Sequence, residues 1–333
     1  MKVISQYIST AFNAGPKAKK DVETILAERF HASCKLLKLT GKEDVGKLNN
    51  LLYKCRKTFF SLKHLSGDDL LVVQFPFNNN DHFLTRAPHK VALVHDLNGI
   101  REQDARILCR EVHALKQFEY VIVHNDRMKD FLISQGVVGN AIFVLELFDY
   151  LCEKGADHKS EISMEMPNIV YTGNVEKSPF IRQMHEEDMK FRLLVYGSDD
   201  VLENKNISVK GKFPPDTLPA ILEGDLGLVW DGAIDEGDQD RGFKNYTRYN
   251  NPHKFSCYLA AGLPVICWSK AAIADFVIKS DIGYTINHVY DINTLPLDTY
   301  ERKKENVRAI GERVRTGYYT KKVFNEILKN VAI

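Results

Sequence analysis

The sequence of 333 residues predicts an α/β protein made of two doubly wound halves, each a parallel sheet with helices packed on it. Three observations carry that prediction. Short continuous apolar runs alternate with amphipathic ones along the chain, as strands buried on both faces alternate with crossover helices. The runs fall into two series divided by a polar stretch, residues 152–167, which reads as a linker. Hydrophobic residues make up 44% of the chain, enough for two packed cores at this length.

The elements follow in order. Residues 3–7 form a short first strand, then a turn-rich loop through Pro16 and a helix from about Lys17 to Arg29. Residues 70–75, 90–95 and 119–124 are buried strands, the second ending in His95-Asp96. A helix runs to Gly136, and residues 141–145 close the first half. The second half opens with a strand at 168–171 ending in Thr172-Gly173-Asn174. Strands at 191–196, 225–230 and 264–268 follow, the first ending in Gly197-Ser198 and the second in Asp231-Gly232. A long polar loop, 233–251, precedes a helix starting near His253, and the tail from about Asp298 is helical with a break at Gly317. The expected domains are residues 1–155 and 168–305, followed by C-terminal helices over 306–333.

Charge and cysteine content narrow the function. Forty-five basic and 44 acidic side chains give a formal charge of +1, which excludes a dedicated nucleic-acid binder. No apolar run approaches the ~20 residues that span a bilayer, and residues 1–5 lack the apolar stretch of a signal peptide, so the expected location is cytoplasmic. The six cysteines show neither CxxC nor zinc-finger spacing and read as scattered thiols. Residues 1–63 hold 13 Lys/Arg against 5 Asp/Glu. That excess reads either as solvated helix faces or as a basic surface for anionic lipid or a lipid-linked phosphate, hence peripheral at the inner membrane face.

The most informative stretch runs from Tyr249-Asn250-Asn251-Pro252-His253-Lys254 to Ala261-Gly262-Leu263-Pro264-Val265. Pro252 suits a helix start and Gly262 its stop. The helix N-terminus is a seat for a diphosphate. A lysine in its first turn opposes the helix dipole, which makes sense beside a bound anion. At the end of the 90–95 strand, Asp96 or His95 is the candidate general base. Asp199-Asp200 and Asp238-Gln239-Asp240 read as solvated loops, so no metal and no other cofactor is expected.

The string from His253 to Val265 resembles the donor-site helix of GT-B glycosyltransferases. With Gly227-Leu228-Val229-Trp230-Asp231, Phe148 and Tyr319 to Phe324, the chain is similar to the bacterial β-linking glucosyl- and galactofuranosyltransferases that act on surface polysaccharides and adhesins. The resemblance implies a GT-B fold of two Rossmann-like domains facing a cleft, with the C-terminal helices crossing back to the first. It implies that Thr172-Gly173-Asn174 approaches the donor phosphates, that Lys177 and Lys254 bind them, and that Tyr196, Gly197, Ser198 and Phe213 frame base and ribose. Asn250, Asn251, His253 and Asp231 complete the donor site. Ser9, Thr10, Asn13 and Gly15 belong to a loop beneath the donor sugar. His95-Asp96 matches a His-Asp pair facing the cleft. The Glu-x7-Glu pair of many retaining GT-B enzymes is missing around Lys254, and an inverting enzyme is expected. Its partners are a UDP-sugar, galactofuranose before glucose, and a glycan or lipid-linked saccharide acceptor; a homo-oligomer stays open. A GT-B-form epimerase using Asp231, or a non-catalytic partner of a transferase, are the alternatives.

Overall fold

The computed structural model describes residues 1–5, 14–36, 70–76, 89–139, 141–155, 162–173, 175, 178–234 and 243–331. Two six-stranded, all-parallel sheets organise them. The first comprises β1 (Lys2–Ser5), β2 (Ser33–Leu36), β3 (Leu70–Phe75), β4 (His89–Val94), β5 (Tyr120–Val123) and β6 (Ala141–Val144), in the order β2-β1-β3-β4-β5-β6. The second comprises β7 (Asn168–Thr172), β8 (Arg192–Tyr196), β9 (Ile207–Gly211), β10 (Leu226–Val229), β11 (Val265–Trp268) and β12 (Gly283–Ile286), in the order β12-β11-β10-β7-β8-β9. The strand order reverses between β1 and β3 in the first sheet and between β7 and β10 in the second, and ligands of such sheets bind at the carboxyl ends beside the reversal.

The described helices of the first half are α1 (Ala14–Phe30), α2 (Asn98–Arg101), α3 (Ala105–Leu115) and α4 (Asp126–Ser134). Those after them are α5 (Pro179–Gln183), α6 (Leu218–Ile221), α7 (Phe243–Tyr246), α8 (His253–Ala261), α9 (Ile273–Lys279), α10 (Tyr300–Arg315) and α11 (Tyr318–Asn330). Helix α1 begins three residues before Lys17, because Pro16, with its fixed φ, is accommodated in a first turn. Gly15, expected in a loop, therefore lies in the helix. Helix α7 forms inside the expected 233–251 loop. Between α10 and α11, Gly317 adopts a left-handed φ of 76°, and a Cβ there would fall 2.8 Å from the Ile25 side chain. Helix α11 thus lies against α1 of the first lobe, with Phe324 and Phe30 rings 6.3 Å apart.

Alternate residues of β3 divide between two cores, as the period of two in a strand requires. Leu70 and Val72 join an apolar cluster that continues through residues 145–150 into the second lobe. Leu71, Val73 and Phe75 face a separate cluster under α3 and α4, and Tyr246 of α7 is part of it. A segment that follows β10 of the second sheet is therefore built into the first lobe.

Candidate active site between the lobes

Lys254 stands at the strand-order reversal of the second sheet. Pro252 precedes α8, and the helix stops at Gly262 with φ 84°, where Leu263 N–H donates to Tyr258 O. The Lys254 ammonium donates to Asp231 Oδ1 (2.8 Å), to the Tyr171 hydroxyl (3.1 Å) and to Trp230 O (3.4 Å), from the carboxyl ends of β7 and β10. It also lies 4.5 Å from the centre of the Tyr171 ring. Burial alone would depress its pKa, but the Asp231 carboxylate and the tyrosines outweigh that, so the group is held above its ordinary value and stays charged. Tyr171 is in turn hydrogen-bonded to Ser178 Oγ. Three acceptors for its three N–H bonds hold this cation at a helix start.

Gly173 and Gly197 let the ends of β7 and β8 close up beside it. Gly173 N–H donates to Tyr196 O (2.8 Å), and a Cβ on Gly173 would stand 2.9 Å from the Tyr171 ring. Gly197 has φ 106°, and a Cβ there would meet Gly173 O at 3.1 Å. Ser198 is buried and its Oγ accepts from Asp200 N–H.

The other residues expected at the donor site are placed as follows. Tyr196 is 2% exposed, its hydroxyl accepts from Glu223 N–H, and its ring packs on Phe213, so it is a core residue. Asn251 joins the lobes: its Nδ2 donates to Glu146 O (2.6 Å) and His124 O (3.2 Å), while its Oδ1 accepts from Asn125 Nδ2 (2.7 Å). Its backbone N–H donates to His124 Nδ1, and burial pushes the His124 pKa down to about 4, so that ring is neutral. His253 stacks on Tyr150 at 4.7 Å, and burial lowers its pKa to about 3. Asn250 keeps a buried Oδ1 that has no hydrogen-bond partner among the described residues. Asn174, Lys177, Ser9, Thr10 and Asn13 lie outside the described residues.

The first lobe supplies His95 and Asp96 at the carboxyl end of β4. His95 Nε2 is 2.7 Å from Gln74 Oε1, and Gln74 Nε2 donates to Lys19 O. With the amide oriented by that second bond, His95 donates from Nε2 and its Nδ1 carries the lone pair. Burial, then the nearby Lys19 charge, hold the His95 pKa well below its usual value. Asp96 Oδ2 lies 3.3 Å from Arg101 Nη1 and Oδ1 accepts from the Tyr246 hydroxyl (3.0 Å). Burial raises its pKa against the pull of Arg101, Tyr246 and Lys19, which strengthens it as a base. The two walls meet through rings: His95 stacks on Phe148 (5.0 Å), and Phe148 is edge-on to His253 (6.3 Å), the neighbour of Lys254 in the chain.

Sequence reasoning missed Lys19, Gln74, Arg101, His124 and Tyr246. Gln74 was detectable as a polar residue within the apolar run LLVVQF. The rest depend on contacts between distant segments.

Two parallel α/β lobes, each with its own strand-order reversal, make the two-domain architecture of GT-B glycosyltransferases. The solved structures agree on the fold. Anabaena Alr3699/HepE in complex with UDP and glucose superposes with a TM-score of 0.58 at 12% identity, over 100% of this chain and 99% of that one. WaaG, a glycosyltransferase involved in lipopolysaccharide biosynthesis, gives 0.54 at 12% identity over 97% and 98%. The family descriptions "Glucosyltransferase 3-like, N-terminal domain" and "Glucosyltransferase 3-like, C-terminal domain" match residues 1–147 and 169–327. The chain belongs to this glucosyltransferase 3-like family. Among its relatives, beta-1,6-galactofuranosyltransferase WbbI of Escherichia coli (strain K12) is 30% identical over 96% of each chain. Glucosyltransferase 3 of Streptococcus gordonii is 24% identical over 72% of this chain and 71% of its own. Among the described residues no helix is long and apolar enough to cross a membrane.

Proposed function

We propose that this glycosyltransferase moves a hexose, galactofuranose before glucose, from a UDP-sugar to a glycan or lipid-linked saccharide acceptor in surface polysaccharide synthesis, with inversion. Residues 1–155 hold the acceptor and residues 168–305 the donor. The observation that supports the reading is the run of ring contacts His95–Phe148–His253, which links the chain neighbours of Asp96 and Lys254 across the two lobes. Lys254 and the start of α8 balance charge growing on the leaving diphosphate, with no metal required for that step. Asp96, whose raised pKa improves it as an acceptor, takes the proton of the attacking hydroxyl. His95 is the weaker candidate, since protonation would place a second cation near Lys19. A base on the wall opposite the leaving group suits a single in-line displacement, hence a β-linked product. The 30% identity to a galactofuranosyltransferase favours the furanose.

Calorimetry with UDP, GDP, ADP and NAD, with and without EDTA, tests the donor class. Binding of UDP alone, unchanged by EDTA, is expected. Release of UDP from UDP-galactofuranose faster than from UDP-glucose then supports the sugar. Binding of none of the four nucleotides would leave a non-catalytic partner of a transferase as the better account.

A further inference from the structure

Tyr246 follows β10 in the chain but is buried in the first lobe, 3% exposed, among Leu97, Ile100 and their neighbours. Its hydroxyl is caught between two fixed groups. Leu97 N–H donates to it (3.0 Å), and it donates to Asp96 Oδ1 (3.0 Å) across 150 positions of sequence. With the acceptor side of the hydroxyl filled by the amide, its one proton is committed to the carboxylate.

The other oxygen of Asp96 is fixed as carefully. Arg101 reaches Oδ2, and Arg101 Nη2 donates to Asn98 Oδ1. Both residues lie on α2, whose first N–H groups, Asn98 and Gly99, donate to the two oxygens of buried Glu111 at 2.9 Å each. Gly99 fits because a Cβ would overlap Leu108. The charged groups facing Asp96 are thus Arg101 on α2, Lys19 on α1 and Glu111 on α3, with the Tyr246 hydroxyl the contribution of α7.

We propose that Tyr246 is a positioning residue for transfer: it sets the orientation and basicity of Asp96 from a segment that belongs, by sequence, to the donor lobe. This rests on the reading of Asp96 as the base. Eight residues after Tyr246 the same segment delivers Lys254, so one stretch of chain carries both the group that holds the diphosphate and the group that aims the base. The carboxylate is correctly aimed only while that stretch is docked on the first lobe. A hydrogen bond donated to the charged form favours ionised Asp96 and fixes one of its lone pairs.

The test uses Tyr246→Phe in the full chain, which keeps the ring and its packing and removes the O–H. Aspartate carboxyl carbons are labelled with 13C, the Asp96 resonance is assigned by its loss in Asp96→Asn, and its titration is followed by NMR with no donor present. Asp96 is expected to titrate at higher pH in Tyr246→Phe than in the parent. With UDP-galactofuranose or UDP-glucose, the acid limb of turnover should move up with it, kcat should fall about tenfold and donor KM should hold. A role in packing alone would lower Tm and leave the Asp96 titration in place, and that result overturns the inference. Normal turnover in Asp96→Asn would instead remove the base assignment. Loss of turnover in Asp96→Asn with unchanged titration in Tyr246→Phe would keep the base and reject Tyr246.

Discussion

Replacing Lys254 by methionine separates two jobs that the structure gives its ammonium. It neutralises Asp231 at 2.8 Å, and on the proposed reading it also receives the donor diphosphate. The bare attraction of two charges at that distance is about 6 kcal/mol at an effective dielectric near 20. Desolvation opposes this, and water still reaches Asp231, whose side chain is 26% exposed. The net loss on removing one partner is therefore about 2 kcal/mol, or roughly 5 °C in Tm. Loss of a charge-assisted bond to phosphate is a separate quantity, about 1.5–3 kcal/mol, or roughly 10- to 100-fold in UDP affinity. Adding Asp231→Asn distinguishes them. It removes the stranded carboxylate and should recover most of the Tm, while UDP affinity by calorimetry stays low. If Lys254→Met binds UDP as the parent does, or if the double variant recovers binding along with stability, Lys254 is a counter-ion for Asp231 and the phosphate assignment is wrong.

Further outcomes follow from the joint between the lobes and from the sheets. Asn251→Ala removes three side-chain hydrogen bonds to the first lobe and should lower stability by about 2–3 kcal/mol, read as a drop in denaturant midpoint with earlier proteolysis between the lobes. An unchanged midpoint would mean that these bonds do not join the lobes. Asp149 accepts from Tyr319 N–H and Thr320 N–H at the start of α11, and burial raises its pKa to about 7. A folded pKa above the unfolded one means that the native state holds the proton more tightly, so this contribution is complete below about pH 4 and fades as pH rises toward 7. Asp21, raised by burial to about 6, acts in the same direction. Tm should thus fall between about pH 4 and pH 7, and Asp149→Asn should flatten the slope; an equal slope in the variant would refute the assignment. Gly227→Ala would put a Cβ 2.3 Å from the Tyr258 ring, moving a tyrosine whose hydroxyl accepts from Thr172 N–H. A loss of about 3 kcal/mol or more is expected, and a wild-type melting curve would contradict the packing.

The sequence revealed the interior strands because those are short, largely apolar and bounded by turn residues. It did not reveal β2, β9 and β12, all of them edge strands of the two sheets. In β9 a single residue of five is buried, so ISVKG carries no apolar run to notice. β12 opens on Gly283, where a Cβ would collide with the Val265 backbone; the close approach that builds the edge also removes a strand-forming side chain. Lys254 was legible because a lysine after Asn-Asn-Pro, at a helix start, violates a local preference. Tyr246 violated none, and its partner lies 150 residues away. Asn251 was legible as a polar residue in a loop, but whether such a residue holds a ligand or a neighbouring lobe depends on what folds against it.

The docking of residues 246–251 on the first lobe bears on how such enzymes can be recombined. Exchanging lobes between relatives looks simple if the junction is placed at 152–167. A chimaera cut there would bring a foreign Tyr246, Tyr249 and Asn251 onto the resident Leu97, Phe131 and His124. It would also set a foreign α11 against the resident α1. The inherited unit is a first lobe together with the pieces of the second chain half that complete it, so a graft meant to change the donor sugar must carry those positions over from the host or redesign them on both sides.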